Sequence, residues 1–110
     1  MKHYVYKVEW KTKNGSNRFY IGESNDPLRR LSEHQLSFRN KEMKVKVLQT
    51  FIGKNSIEKA KEKELSLIYK NFMKYGFNQS EKDSPFMNRY TLSLRGWLKR
   101  KMPDVYDVCF

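Results

Sequence analysis

Polar and apolar positions alternate from Tyr4 to Trp10. Tyr4, Tyr6, Val8 and Trp10 fall on one side, and Val5, Lys7 and Glu9 on the other. A period of two predicts a half-buried strand. Lys13-Asn14-Gly15-Ser16-Asn17 reads as a turn with Asn-Gly at its centre. Arg18 to Gly22 is the returning strand.

The pattern then changes to a helical one. Asn25-Asp26-Pro27 supplies a cap for the first amides and a proline at the first helical position. Leu28, Leu31 and Phe38 form the apolar stripe of this helix. Val45 to Ile52 predicts a third strand, ended by Gly53. Asn55 or Ser56 caps a long helix running to about Lys74, with Gly76 just past its end. Ser84-Pro85 opens a last helix carrying Tyr90, Leu94, Trp97 and Leu98, and Pro103 follows its end.

The order is ββαβα with a helical tail. That order predicts an α/β (α+β) fold, a small three-stranded antiparallel sheet flanked by helices. Residues 1–79 are expected to form the core and 80–110 a basic helical extension of one domain. Gln79 to Pro85 is polar and is expected to link the two.

Composition adds the partner. The chain has 110 residues, 38% hydrophobic and 15% aromatic, enough for one packed core rather than a disordered chain. Its formal net charge is +11, from 23 Lys and Arg against 12 Asp and Glu. Such a surplus points to a polyanion, first nucleic acid, then an anionic membrane surface. Cys109 is the single cysteine, so no internal disulfide forms. Met1 to Lys7 lacks the apolar run of a signal peptide, and no apolar run is long enough for a bilayer. The expectation is a cytoplasmic, viral or nuclear protein, neither secreted nor in a membrane.

Three groups of residues carry candidate chemistry. Glu64 falls near the middle of the helical face made by Ile57, Ala60, Ile68 and Phe72. A carboxylate there is costly unless it is paired, hydrogen-bonded or bound to metal. Lys61 lies on the same side and supports simple pairing. Arg30 and His34 stand at i, i+4 and share a helix face beside the leucine stripe. Arg suits a phosphate, and His exchanges protons near neutral pH. Tyr6 and Tyr20 lie in the hairpin strands. They serve packing, or they are phenols made more acidic by cationic neighbours.

Together these segments resemble the GIY-YIG nuclease family. Tyr4-Val5-Tyr6 resembles the first signature and Tyr20-Ile21-Gly22 the second. Asp26 to His34 resembles the family helix, with its arginine at Arg30 and its histidine at His34. Glu64-Leu65-Ser66-Leu67-Ile68 resembles the segment with the metal-binding glutamate, and Gly76-Phe77-Asn78 the closing segment. The resemblance covers roughly residues 3–79. It departs at Tyr4, where the signature has glycine, and at Glu23, where many members have lysine. The stretch between Tyr6 and Tyr20 is also long. A two-residue Asn14-Gly15 turn would join even to odd positions and put the two tyrosines on opposite faces. Both reach one site only if the loop is longer or a strand bulges.

The resemblance implies metal-dependent hydrolysis of a DNA phosphodiester. Glu64 would hold Mg²⁺ or Mn²⁺, which polarises the phosphoryl oxygen and stabilises the leaving 3′ oxygen. Arg30 would offset the phosphoryl charge. Tyr6 would act on the attacking water with Tyr20 in support, His34 would move a proton, and Asn78 would order the site around Glu64. Arg29 and the tail cations Arg89, Arg95, Lys99, Arg100 and Lys101 are candidates for phosphate contact. The tail could equally be a packing helix. Two rivals fit the same residues. One is a weak or inactive domain of this fold that grips DNA or RNA, and the other is a small inhibitor or adaptor of another protein.

Overall fold

The computed structural model describes residues 2–40, 42–75, 84–89 and 91–109. Strands β1 (Lys2–Lys11), β2 (Asn17–Ser24) and β3 (Lys44–Ile52) form one antiparallel sheet in the order β2-β1-β3. Helix α1 (Pro27–Phe38) follows β2, and α2 (Ser56–Tyr75) follows β3. Helices α3 (Leu92–Lys101) and α4 (Pro103–Cys109) make up the tail. Among the described residues no helix is long and apolar enough to cross a membrane.

β1 is the central strand and is buried on both faces, not half-buried. Val5, Tyr6 and Val8 are all inaccessible to solvent or nearly so. On one face Tyr6, Val8 and Met43 cluster with Leu31 of α1. On the other, Val5 and Ile21 pack with Ala60, Ile68 and Phe72 of α2 and with Phe86, Leu94, Trp97 and Leu98 of the tail. Leu94 and Leu98 are fully buried, so much of the second core is built by the tail.

The hairpin answers the question of the two tyrosines. The connection runs from Thr12 to Ser16, closed by Thr12 N–H donating to the Ser16 carbonyl at 2.9 Å. Gly15 turns it with a φ of 84°, in the left-handed region that glycine enters freely. This longer loop pairs even with even positions, Tyr6 with Gly22 and Val8 with Tyr20. Tyr6 and Tyr20 therefore share a face. Between β1 and β3 the register slips by one, from Val5–Gln49 to Tyr6–Val47, and leaves Leu48 as the extra residue of a bulge.

Four expectations fail. The last helix begins at Leu92, capped by the Thr91 side chain, and not at Ser84-Pro85. Residues around Phe86 instead run extended along the outer edge of β2. Phe19 N–H donates to the Pro85 carbonyl at 2.8 Å, and Met87 N–H to the Phe19 carbonyl at 2.9 Å. Pairing with an open sheet edge outcompetes a helix that would leave that edge bare. The helix that begins at Leu92 does end before Pro103, at Lys101, but it is not the last: Pro103 opens α4, as suits a first helical position. Leu28 is 67% exposed, because α1 presents Leu31 inward beside Arg30 and His34. Ile57 is also exposed; the buried line of α2 is Ser56, Ala60, Ile68 and Phe72. Tyr90 and Gln79 to Asp83 lie outside the described residues.

Candidate active site

Two glycine-dependent crossings set the phenols. Tyr6 of β1 is 1% exposed, and its ring passes over Gly22 of β2. A Cβ at Gly22 would stand 2.5 Å from the Tyr6 hydroxyl oxygen and 3.0 Å from the Tyr20 ring. Only a residue without a side chain lets both rings lie here.

Helix α1 brings the cation and the imidazole. Its entry is fixed by Asp26, whose side chain accepts from Arg29 N–H at 3.2 Å, and by Pro27 in the first turn. One turn on, Arg30 lies near enough to the Tyr6 hydroxyl to act on its ionisation and is ion-paired with Glu33. Nε2 of His34 lies 3.5 Å from the Tyr6 hydroxyl, and its ring centre 4.9 Å from that of Tyr20. The pair Arg30 and His34 thus converges on both phenols.

Glu64 comes from the opposite side. It continues the buried line of α2 between Ala60 and Ile68 and reaches the outer edge of β2. The outward backbone groups of β2 are met in sequence along that edge. Phe19 pairs with residues Pro85 and Met87. Ile21 donates to the Asn88 side-chain oxygen at 2.7 Å and accepts from its nitrogen at 2.7 Å. Glu23 N–H comes near enough to the Glu64 carboxylate to favour its charge. This stitching holds the strand bearing Tyr20 and Gly22 against α2.

Burial dominates the electrostatics. It raises the Glu64 acid to about 7, the Glu23 charge adds to the rise, and Lys61 and the Glu23 amide only partly oppose it. Lys61 therefore moderates Glu64 without neutralising it. Both tyrosines are pushed above the ordinary phenol value. The expected acidification by cations does not occur: burial outweighs Arg30, and neighbouring acids work against ionisation too. At neutral pH both are intact phenols. Burial, and then Arg30, lower His34, leaving a neutral imidazole that can accept a proton.

Five of the sequence-derived site residues, Tyr6, Tyr20, Arg30, His34 and Glu64, are linked in one constellation by these contacts and charges. Asn78 lies outside the described residues. Arg29, Arg89, Arg95, Lys99, Arg100 and Lys101 are exposed. Arg95 lies over the Tyr106 ring, and Lys101 pairs with Glu62 at 3.6 Å. Sequence reasoning missed Asn88 and His3. Asn88 stands between Met87 and Arg89 with no periodic signal to single it out. His3 bonds to Glu23 across the two strands, a pairing visible only once the register is known.

A divalent ion fits Glu64 on its chemistry. The carboxylate is largely shielded, sits beside a second acid and is incompletely compensated by Lys61. Among the described residues no three of His, Cys, Asp and Glu gather as a cage. An ion here would take its other positions from water and phosphate oxygens, as Mg²⁺ commonly does.

A model of the GIY-YIG catalytic domain matches residues 2–76. Searches of curated proteins and of solved structures found no match.

Proposed function

We propose that this chain, which belongs to the GIY-YIG nuclease family, hydrolyses DNA phosphodiester bonds at the site formed by Tyr6, Tyr20, Arg30, His34 and Glu64. The observation that carries the reading is the meeting of a buried phenol, a guanidinium and an imidazole at the Tyr6 hydroxyl, with Glu64 close enough to perturb both phenols.

Glu64 would hold Mg²⁺ or Mn²⁺. The ion would supply positive charge to the phosphoryl group and to the departing 3′ oxygen. Arg30, held at Tyr6, binds a phosphoryl oxygen and offsets the charge that grows on it in the transition state. Tyr6 keeps its proton at neutral pH, so it orients the attacking water and passes its own proton to neutral His34 as that water loses one. This relay replaces direct attack assistance by a phenolate. Tyr20 packs on His34 and fixes the ring that receives the proton. The leaving 3′ oxygen recovers a proton from solvent.

The exposed cations Arg29, Arg89, Lys99 and Arg100 would supply phosphate contacts outside the site. The reading is tested against pure binding by incubating supercoiled DNA with the protein and Mg²⁺ or Mn²⁺. Nicking that chelator stops supports it. Binding without any cleavage under either ion contradicts it.

A further inference from the structure

The signature strands carry a shielded side-chain contact that the relay does not use. His3, at the start of β1, bonds through Nε2 to the Glu23 carboxylate near the end of β2. The two side chains are only 10% and 19% exposed. His3 Nδ1 is buried without a partner among the described residues. The ring therefore has one polar contact there, and that contact is Glu23.

Glu23 meets Glu64 twice. The register sets Glu23 opposite Val5, on the sheet face that α2 covers; its amide partly offsets the Glu64 charge, and its own carboxylate lies near enough to repel that group. It also acts on Tyr20. The other titratable groups facing Glu64 are Lys61, from its own helix, and the uncharged phenols of Tyr6 and Tyr20. An unrestrained glutamate would turn its carboxylate away from a like charge and into water. The His3 bond opposes that turn.

Two carboxylates held together against their repulsion gain most from a doubly charged cation. We propose that Glu23 and His3 are positioning residues for the divalent ion of the Glu64 site, Glu23 adding a second negative charge and His3 holding it toward Glu64. The proposal rests on the reading of Glu64 as the metal ligand, and the test separates the two.

The test is Mn²⁺ titration of the full chain without DNA, followed by calorimetry, for wild type, Glu64→Gln, Glu23→Gln, His3→Ala and His3→Gln. Thermal melts without metal report folding. Wild type should bind one Mn²⁺, and Glu64→Gln should not. Glu23→Gln should weaken binding about tenfold. His3→Ala should weaken it in the same direction, and His3→Gln, which keeps a donor, should restore it. Should Glu23→Gln unfold, the two His3 variants carry the test, and Glu23→Asp, which keeps the charge but shortens its reach, should fall between. Equal binding by wild type and Glu64→Gln overturns the Glu64 reading. Binding lost in Glu64→Gln but unchanged in the folded Glu23 and His3 variants overturns this inference alone.

Discussion

Gly22 lies directly beneath the Tyr6 hydroxyl: a Cβ on it would be 2.5 Å from the phenolic oxygen. Tyr6 cannot retreat, because it is 1% exposed and packed between Val8, Leu31 and Met43. The second signature's glycine is therefore a steric condition of the site. Gly22→Ala should displace the phenol from His34 and Arg30, cost about 1–3 kcal/mol of stability, and abolish cleavage. Chemical denaturation and plasmid nicking check this. Full activity in Gly22→Ala would place the Tyr6 hydroxyl outside the reaction.

The relay predicts an effect of the hydroxyl separate from the ring. Tyr6→Phe keeps the packing and removes the proton donor. Cleavage should fall about 10²–10⁴-fold, with DNA affinity unchanged. His34→Ala should fall within the same range, and the double variant should be little worse than either single one, since the two act on one proton. Single-turnover rates and binding isotherms distinguish these. A double variant whose losses multiply would argue for independent roles.

The raised acidity constant of Glu64 fixes a direction with pH. Its folded value, about 7, lies above the ordinary 4.5. Folding therefore favours the protonated acid. The stability it contributes is fully present below about 4.5 and is lost as pH rises through about 7. A cation competes with that proton, so Mn²⁺ affinity should rise about tenfold per pH unit up to about pH 7 and level off above it. Calorimetric titrations on both sides of pH 7 read this directly. Affinity independent of pH would show that Glu64 is not the titrating ligand.

The tail is part of the fold through Phe86, Asn88, Leu94, Trp97 and Leu98. Removing residues after Ser84 should unfold the protein, so truncation is a poor probe of DNA contact. Asn88→Ala, which strips both backbone groups of Ile21 of their partner, should cost about 2–4 kcal/mol and lower the melting temperature by about 10 °C or more. Lys99→Ala with Arg100→Ala changes only exposed groups. If both touch phosphates, the slope of binding against salt should fall by about 1.8, with the melting temperature unchanged. An unaltered slope would remove this surface from the DNA path.

Much of this arrangement was legible along the chain, for particular reasons. Strand and helix patterns located β1, β2, β3 and α2, and the parity of positions 6 and 20 required either a longer loop or a bulge in the hairpin, of which the Thr12 to Ser16 loop is the one present. Glu64 stood out because a carboxylate on an apolar face is anomalous. Asn88 and the extended segment before it did not, because their pairing with β2 depends on an edge that exists only after the sheet forms. The outward turn of Leu28 was hidden for a similar reason: α1 faces a surface that is itself part polar, and periodicity alone ranks leucine above arginine and histidine. The sign of the tyrosine shifts depended on burial, which residue types near Arg30 do not report.

The central claim is that Glu64 completes a catalytic site rather than a buried structural contact. Glu64→Gln keeps the shape and an amide acceptor for Glu23 N–H while removing the charge. Supercoiled DNA cleavage by this folded variant, measured with saturating Mn²⁺ alongside DNA binding, is the most direct measurement. Cleavage reduced at least about 10²-fold with binding retained is the predicted result. Cleavage at the wild-type rate would contradict it.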